Sequence, residues 1–184
     1  MTNNTDKSQL QYATLAGGCF WCIESAFSHV QGISSAISGY MGGHINSPTY
    51  EDICTGQSGH AEVVQLVFNA KEITYQEILE IFFTLHNPTQ LNRQGNDIGS
   101  QYRSAIFYHD DNQQRIAQKK IQEIDTAKIF EQAVVTKVCP TDVFYAGEEY
   151  HQNYFNKNPQ NQYCRAIVSP KLAKFKQTFI SKLK

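Results

Sequence analysis

The chain has 184 residues, enough for one domain with a sizeable hydrophobic core. Its 16 basic and 17 acidic residues nearly cancel, which argues against nucleic acid or a membrane surface as a partner. The polar start and the absence of a long apolar run argue against a signal peptide and a membrane-spanning helix. Five irregularly spaced cysteines are typical of a reducing compartment rather than a secreted disulfide framework, so we expect a cytoplasmic protein.

Strand and helix patterns alternate along the chain, after a predicted disordered tail at residues 1–11. Apolar or alternating runs predict strands at residues 12–16, 33–38, 61–68, 104–108, 134–138 and 163–168. Periodicity and capping signals predict helices or helical turns at residues 22–27, 48–54, 74–85, 110–126 and 148–155, and a charged last helix opened by Ser169-Pro170. The polar segment 89–102 is long for an unstructured connection, which is typical of a functional loop. The alternation indicates an α/β or α+β sandwich but does not define the strand order.

The stretch Gly17-Gly18-Cys19-Phe20-Trp21-Cys22 lies between the first predicted strand and the first predicted helix. A strand, a glycine turn and a helix start put Cys19 at or near a helix N-terminus, where unpaired backbone N–H groups favour the thiolate over the thiol. The aromatic pair beside it would form an apolar wall around the sulfur. A buried structural cysteine is the alternative, but these neighbours favour a nucleophilic cysteine with a small hydrophobic pocket.

Further blocks follow Gly18-Cys19-Phe20-Trp21 along the chain: Gly39-Tyr40-Met41-Gly42-Gly43, Pro48-Thr49-Tyr50, Gly59-His60-Ala61-Glu62, residues 92–104 and Glu148-Glu149-Tyr150-His151-Gln152. In this order they resemble the A-type peptide methionine sulfoxide reductases, from Tyr12 to about Phe175. The resemblance implies a single catalytic domain, residues 12–184, folded as a two-layer α+β sandwich. Its mixed sheet would carry helices, with the reactive cysteine at the N-terminus of the first helix.

The same resemblance implies an activity and its partners. The substrate would be the S epimer of methionine sulfoxide, in oxidised proteins and as the free amino acid, so that the reaction repairs proteins after oxidative stress. Thioredoxin would be the reductant. We further expect a monomer. The sequence contains neither a phosphate-cradling loop nor a dinucleotide fingerprint, so no organic cofactor is expected.

Glu62 is the candidate proton donor, because a carboxyl group at the start of an apolar strand stays protonated to higher pH. An ordinary strand-end glutamate is an equally plausible interpretation of the local sequence, and the resemblance favours the acid. Tyr50, Tyr102 and Asp97 match the family's hydrogen-bonding residues. Two phenol groups could donate to the sulfoxide oxygen, which gains charge as the S–O bond breaks.

Phe20 and Trp21 are expected to form the pocket for the substrate methyl group. Aromatic side chains in a first helical turn are more often part of the core, and both interpretations hold if one ring faces inward while Trp21 contacts substrate. His151 lies in a block shared with the family and is a candidate substrate-binding residue. A structural histidine with satisfied hydrogen bonds is an equally good interpretation.

Attack by Cys19 would produce a sulfenic acid, which a second thiol converts to a disulfide. The candidates are Cys22, Cys54, Cys139 and Cys164. Cys22 is the predicted resolving cysteine, because a Cys-x-x-Cys disulfide at a helix start is feasible, and Cys164 is the second choice. Many relatives instead have glycine at position 22 and a resolving cysteine in a glycine-rich tail. Cys54 is interpreted as structural, and Cys139 has no motif support.

Two other functions are compatible with part of the sequence. A thioredoxin-like dithiol oxidoreductase would explain Cys19 and Cys22 but leaves residues 59–62 and 92–103 without a role. A structural zinc site is disfavoured because only one Cys-x-x-Cys pair is present. No metal is therefore expected.

Overall fold

The computed structural model describes residues 10–184. Its strands are β1 Leu10–Gly17, β2 Ile33–Met41, β3 Ala61–Asn69, β4 Arg93–Gln94, β5 Asp97–Ile98, β6 Ser104–Tyr108, β7 Lys137–Pro140 and β8 Tyr145–Ala146. Its α-helices are α1 Phe20–Phe27, α2 Tyr50–Cys54, α3 Tyr75–Leu85, α4 Asp111–Thr126, α5 Tyr154–Lys157 and α6 Ser169–Thr178. Short 3-10 helices cover Ser100–Tyr102, Glu149–His151 and Ile180–Lys182, and a π-helix covers Cys164–Val168.

Six of these strands form one sheet in the order β7-β6-β1-β3-β2-β8. The pairs within it are antiparallel except β6 with β7, which is parallel, so the sheet is mixed. Strands β4 and β5 form a separate two-stranded sheet inside the predicted functional loop. The predicted α+β fold with a mixed sheet is confirmed.

The main core lies on one face of the six-stranded sheet. Period-2 alternation places Val64, Leu66 and Phe68 of β3 on this face, and all three are fully buried. Helices α1, α3, α4 and α6 contribute side chains to the same cluster. The alternate residues of β3, Ala61 and Val63, belong instead to a smaller cluster that also contains Ala16, Met41, Ala105 and Phe107. Glu62 shares the parity of Val64, so the strand directs a carboxyl group into the helix-covered face.

Two predicted helix starts, those of α3 and α4, are confirmed. Thr74 and Glu77 form the predicted capping box at α3, and Asp110 accepts a hydrogen bond from the Gln113 backbone at the start of α4. The predicted disordered tail falls mostly outside the described residues. Its last two positions, 10 and 11, belong to β1.

The predicted strand at residues 163–168 is wrong. This segment is a π-helix that runs directly into α6, with Cys164 and Val168 buried four residues apart on one side. Short apolar runs do not distinguish strand from buried helix, which explains the error. Ser169 already has helical dihedral angles, so it does not cap the last helix as expected. The wide π turn before Pro170 accommodates a residue that has no backbone N–H to donate.

Three other segments differ in their bounds. Strand β7 starts at Lys137, because the Val135 N–H donates to Pro88 O and leaves the sheet. The helix predicted at 148–155 is split into a 3-10 turn and α5 by Asn153, whose φ is 54°. The last helix ends at Thr178 rather than at the C-terminus. Within the described range, no helix combines the length and apolarity that crossing a membrane requires.

Candidate active site

Cys19 is the N-cap residue of α1, at the end of the central strand β1. The turn that leads into it depends on Gly18, whose φ is 89° and whose added Cβ would lie 2.7 Å from the side-chain carbons of Gln94. Only glycine therefore fits this close approach of the β4 hairpin. The predicted position of Cys19 at the helix N-terminus is confirmed.

Glu62 lies at the start of β3 directly beside this helix end. Its side chain is 2% exposed, and its Oε2 accepts a hydrogen bond from the Phe20 backbone N–H at 3.0 Å. Burial raises the pKa of Glu62 from 4.5 to about 8 despite that hydrogen bond. At neutral pH the carboxyl group is therefore mainly protonated and can donate.

Cys19 and Cys22 form a coupled pair of buried thiols. Burial raises the pKa of Cys19 well above its ordinary value, so the expected resting thiolate at Cys19 is not supported. Desolvation is the largest cause, and the hydrogen bond with Cys22 and the neighbouring Glu62 raise the pKa of Cys19 further. The Trp21 backbone N–H of the helix start lowers this pKa, but by less than these effects raise it. The hydrogen bond from Cys19 lowers the pKa of Cys22, and Lys171 adds to this effect. Of the two thiols, Cys22 is therefore the more readily ionised.

Tyr50 and Tyr102 both lie in the electrostatic field of Glu62. Tyr50 is the first residue of α2, and Tyr102 ends the 3-10 turn after the β4–β5 hairpin. Burial raises the pKa of each phenol, and the Glu62 carboxyl group raises it further, so both retain their protons. The fold therefore brings the two phenol donors to the same region as the acid.

Asp97 is the first residue of β5 and also faces this region. Its Oδ2 accepts a short hydrogen bond, 2.6 Å, from the hydroxyl group of Tyr163. It lies close enough to Glu62 to raise the pKa of that carboxyl, after the larger effect of burial. All five candidate catalytic residues are therefore assembled around the start of α1.

The aromatic wall has one buried and one half-buried ring, as expected. Phe20 is 1% exposed, whereas Trp21 is partly accessible. The indole of Trp21 stacks on Tyr154 with ring centroids 3.7 Å apart and an interplanar angle of 3°. Its Nε1–H donates to Nδ1 of His151 at 3.2 Å. Tyr154 and His151 together therefore fix the orientation of the Trp21 indole.

His151 itself is 1% exposed and packs against Tyr50, with ring centroids 4.5 Å apart. Burial lowers the pKa of His151, which suits the neutral ring that accepts from Trp21. This geometry favours a histidine that orients Trp21 over one open to substrate.

Three residues around the site were not identified from the sequence: Glu148, Tyr154 and Tyr163. Glu148 accepts from the Tyr40 hydroxyl at 2.8 Å and from the Tyr50 backbone N–H at 2.7 Å, which anchors the start of α2. It lies in the block that contains His151, but its sequence neighbours do not indicate these contacts. The position of Tyr163 next to Cys164 was its only signal.

All five cysteines are free thiols. Cys22 and Cys164 share a buried cluster with Val168, although they lie far apart in sequence. Cys54 is exposed at the end of α2, which does not support its interpretation as structural. Cys139 is half-buried on β7. Among residues 10–184, no three His, Cys, Asp or Glu side chains lie together as metal ligands.

A cysteine at a helix N-terminus, a neighbouring second thiol and a protonated buried carboxyl define a thiol-dependent oxidoreductase. The sequence model of the family named Peptide methionine sulfoxide reductase matches residues 11–183. Peptide methionine sulfoxide reductase MsrA of Saccharolobus solfataricus is 51% identical over 175 residues, which are 95% of this chain and 98% of the relative. The chain belongs to the peptide methionine sulfoxide reductase family, A type, and it reduces methionine sulfoxide.

Solved structures give the same result for the fold. Mxr1 from Saccharomyces cerevisiae in its reduced form aligns with a TM-score of 0.77 and 34% identity, over 86% of this chain and 91% of that chain. Mxr1 in complex with Trx2 aligns with a TM-score of 0.54 and 26% identity, over 83% and 90% respectively. The mixed sheet with its helices is thus shared with methionine sulfoxide reductases.

Proposed function

We propose that the protein reduces the S epimer of methionine sulfoxide, in oxidised proteins and as the free amino acid, and so repairs proteins after oxidative stress. The observation that carries this proposal is the buried, protonated carboxyl of Glu62 beside the nucleophile candidate Cys19. An acid and a soft nucleophile at one place are what sulfoxide reduction requires.

In the first step the proton between the two sulfurs moves from Cys19 to Cys22, which makes Cys19 the thiolate. Its Sγ attacks the sulfoxide sulfur while Glu62 protonates the departing oxygen. The S–O bond of the substrate breaks, the oxygen ends on Cys19 as a sulfenic acid, and methionine is released. The substrate gains two electrons and Cys19 loses two.

Tyr50, Tyr102 and Asp97 would hold the substrate during this step. The two phenols retain their protons and can donate to the oxygen as it gains charge. Phe20 and Trp21 would contact the methyl group, with His151 keeping the indole in place.

In the second step Cys22 attacks Sγ of the sulfenic acid. An S–S bond forms, the S–O bond breaks, and hydroxide leaves as water with the proton that Cys22 lost. An external dithiol then supplies two electrons. Thioredoxin is the proposed reductant, supported by the structural neighbour in complex with Trx2. The proposed location is the cytoplasm, because five free thiols fit a reducing compartment, and the proposed working form is a monomer.

A single-turnover experiment without reductant tests the proposal. The wild type should release one methionine per chain from the S epimer, and Cys19→Ser should release none. Cys22→Ser should still release one, more slowly because the proton acceptor for Cys19 is gone, and its sulfenic acid should persist. Cys139→Ser is the matched control and should behave as wild type.

Peptide mapping of the oxidised wild type should identify a disulfide between Cys19 and Cys22. Undiminished release by Cys19→Ser would refute the nucleophile. A disulfide between Cys19 and Cys164 would instead identify Cys164 as the resolving residue.

A further inference from the structure

The carboxyl group of Glu148 is faced by three groups of the site. Its Oε1 accepts a hydrogen bond from the Tyr50 backbone N–H at 2.7 Å, and its Oε2 accepts one from the Tyr40 hydroxyl at 2.8 Å. The same Oε2 lies 3.7 Å from Nε2 of His151. Burial raises the pKa of Glu148, but hydrogen bonds from backbone N–H groups and from Tyr40 lower it to below its ordinary value, so the group is a carboxylate at neutral pH.

The hydrogen bond from Trp21 defines the tautomer of His151. An indole N–H can only donate, so Nδ1 of His151, 3.2 Å from Nε1 of Trp21, must be the unprotonated acceptor. The proton of the neutral ring is then on Nε2. This atom is buried and has no hydrogen-bond partner among residues 10–184, so attraction to the facing carboxylate of Glu148 is what favours a proton there.

We propose that Glu148 is a positioning residue for two substrate contacts at once. It places the phenol of Tyr50 through the backbone N–H at the start of α2, and it places the indole of Trp21 through the tautomer of His151. This inference rests on the proposed function, in which Tyr50 and Trp21 contact the substrate. In this role Glu148 neither touches the reacting atoms nor transfers a proton.

The arrangement requires an acceptor at both ends of the side chain. The Tyr50 N–H donates at one end, and the Tyr40 O–H and the His151 Nε2–H face the other. Glutamine has the same shape but a single oxygen. If that oxygen faces the Tyr50 N–H, the NH₂ group faces His151 and favours the other tautomer, whose Nδ1–H opposes the Trp21 N–H. If the oxygen faces His151 instead, the Tyr50 N–H meets an NH₂ group and α2 loses its anchor.

Glu148→Gln therefore tests the proposal. Glu149→Gln is the matched control, because Glu149 is the exposed neighbour and its carboxyl group pairs with Lys157 at 3.5 Å. Methionine release in single turnovers without reductant is followed at increasing concentrations of methionine sulfoxide, together with the fluorescence of Trp21. Glu148→Gln should lower the rate at low substrate concentration by about tenfold, the size expected for one lost hydrogen bond, and should change the fluorescence. Glu149→Gln should change neither.

Two further measurements separate positioning from a general loss of structure. In a His151→Leu background, Glu148→Gln should not change the Trp21 fluorescence further, because His151 is the connection between the carboxylate and the indole. In the wild type with isotope-labelled histidine, the nitrogen NMR signals of His151, identified by their loss in His151→Leu, should show a proton on Nε2 and none on Nδ1. This second measurement needs no change at position 148.

The outcomes are distinguishable. A wild type that releases no methionine refutes the proposed function. With release intact, the inference is overturned if Glu148→Gln has the wild-type rate and fluorescence, or if Glu149→Gln changes them equally. It is also overturned if Glu148→Gln changes the fluorescence as much without His151 as with it. If Glu148→Gln does not fold, the wild-type tautomer decides: a proton on Nε2 supports the inference, and one on Nδ1 overturns it.

Discussion

Replacing Glu62 by glutamine separates the acid chemistry of the site from its packing. Glutamine has nearly the same shape, and its amide oxygen can still accept from the Phe20 N–H that now lies 3.0 Å from Oε2. It has no acidic proton. General acid catalysis contributes about 10²–10⁴-fold, so we expect Glu62→Gln to slow methionine release in a single turnover by about that factor.

The same substitution has a calculable effect on stability. The pKa of Glu62 rises from 4.5 to about 8 on folding, and at 1.36 kcal/mol per pKa unit this amounts to about 5 kcal/mol. Because the folded protein binds this proton more tightly, its stabilisation is complete below pH 4.5 and is lost as the pH rises to about 8. In this window the wild type should lose roughly 1.4 kcal/mol per pH unit more than Glu62→Gln.

Urea unfolding of both proteins at several pH values within this window measures the difference in slope. The rate of methionine release by the wild type should also fall as the pH rises through about 8, where Glu62 loses its proton. Glu72→Gln, a change of an exposed glutamate after β3, should keep the wild-type rate. Parallel stability curves would refute the assigned pKa, and a wild-type rate in Glu62→Gln would refute the acid.

Other substitutions test the supporting structure. Gly18→Ala should destabilise the protein more than Gly95→Ala in urea unfolding. Both glycines have positive φ, but of the two added Cβ atoms only the one at position 18 meets another atom within 4 Å. Equal losses of unfolding free energy would contradict this. Thr74→Ala should cost ~1 kcal/mol through its capping box, with methionine release unchanged, whereas a loss of activity would show coupling to the site. His151→Leu should raise KM several-fold, and its effect on kcat should be smaller. It should also change the fluorescence of Trp21, the single tryptophan. An unchanged KM and spectrum would show that His151 does not orient the indole.

Local rules were sufficient where one segment determines its own conformation. The glycine turn before Cys19 and the capping box of Thr74 and Glu77 follow from backbone sterics and from hydrogen bonds between residues three apart. Alternation along β3 likewise predicts that Glu62 points to the same face as Val64. These interactions span a few residues, so the sequence alone contains them.

The sequence by itself thus determined most of the element types, the position of Cys19 and the family blocks that contain the candidate site residues. Only the tertiary structure decided the strand order, the helical state of residues 164–168, and the hydrogen bond from Tyr163 to Asp97. It also decided that Cys22 rather than Cys19 is the more readily ionised thiol of the pair. The physical reason is that desolvation and long-range hydrogen bonds depend on which distant segments enclose a group, and no local pattern specifies those neighbours.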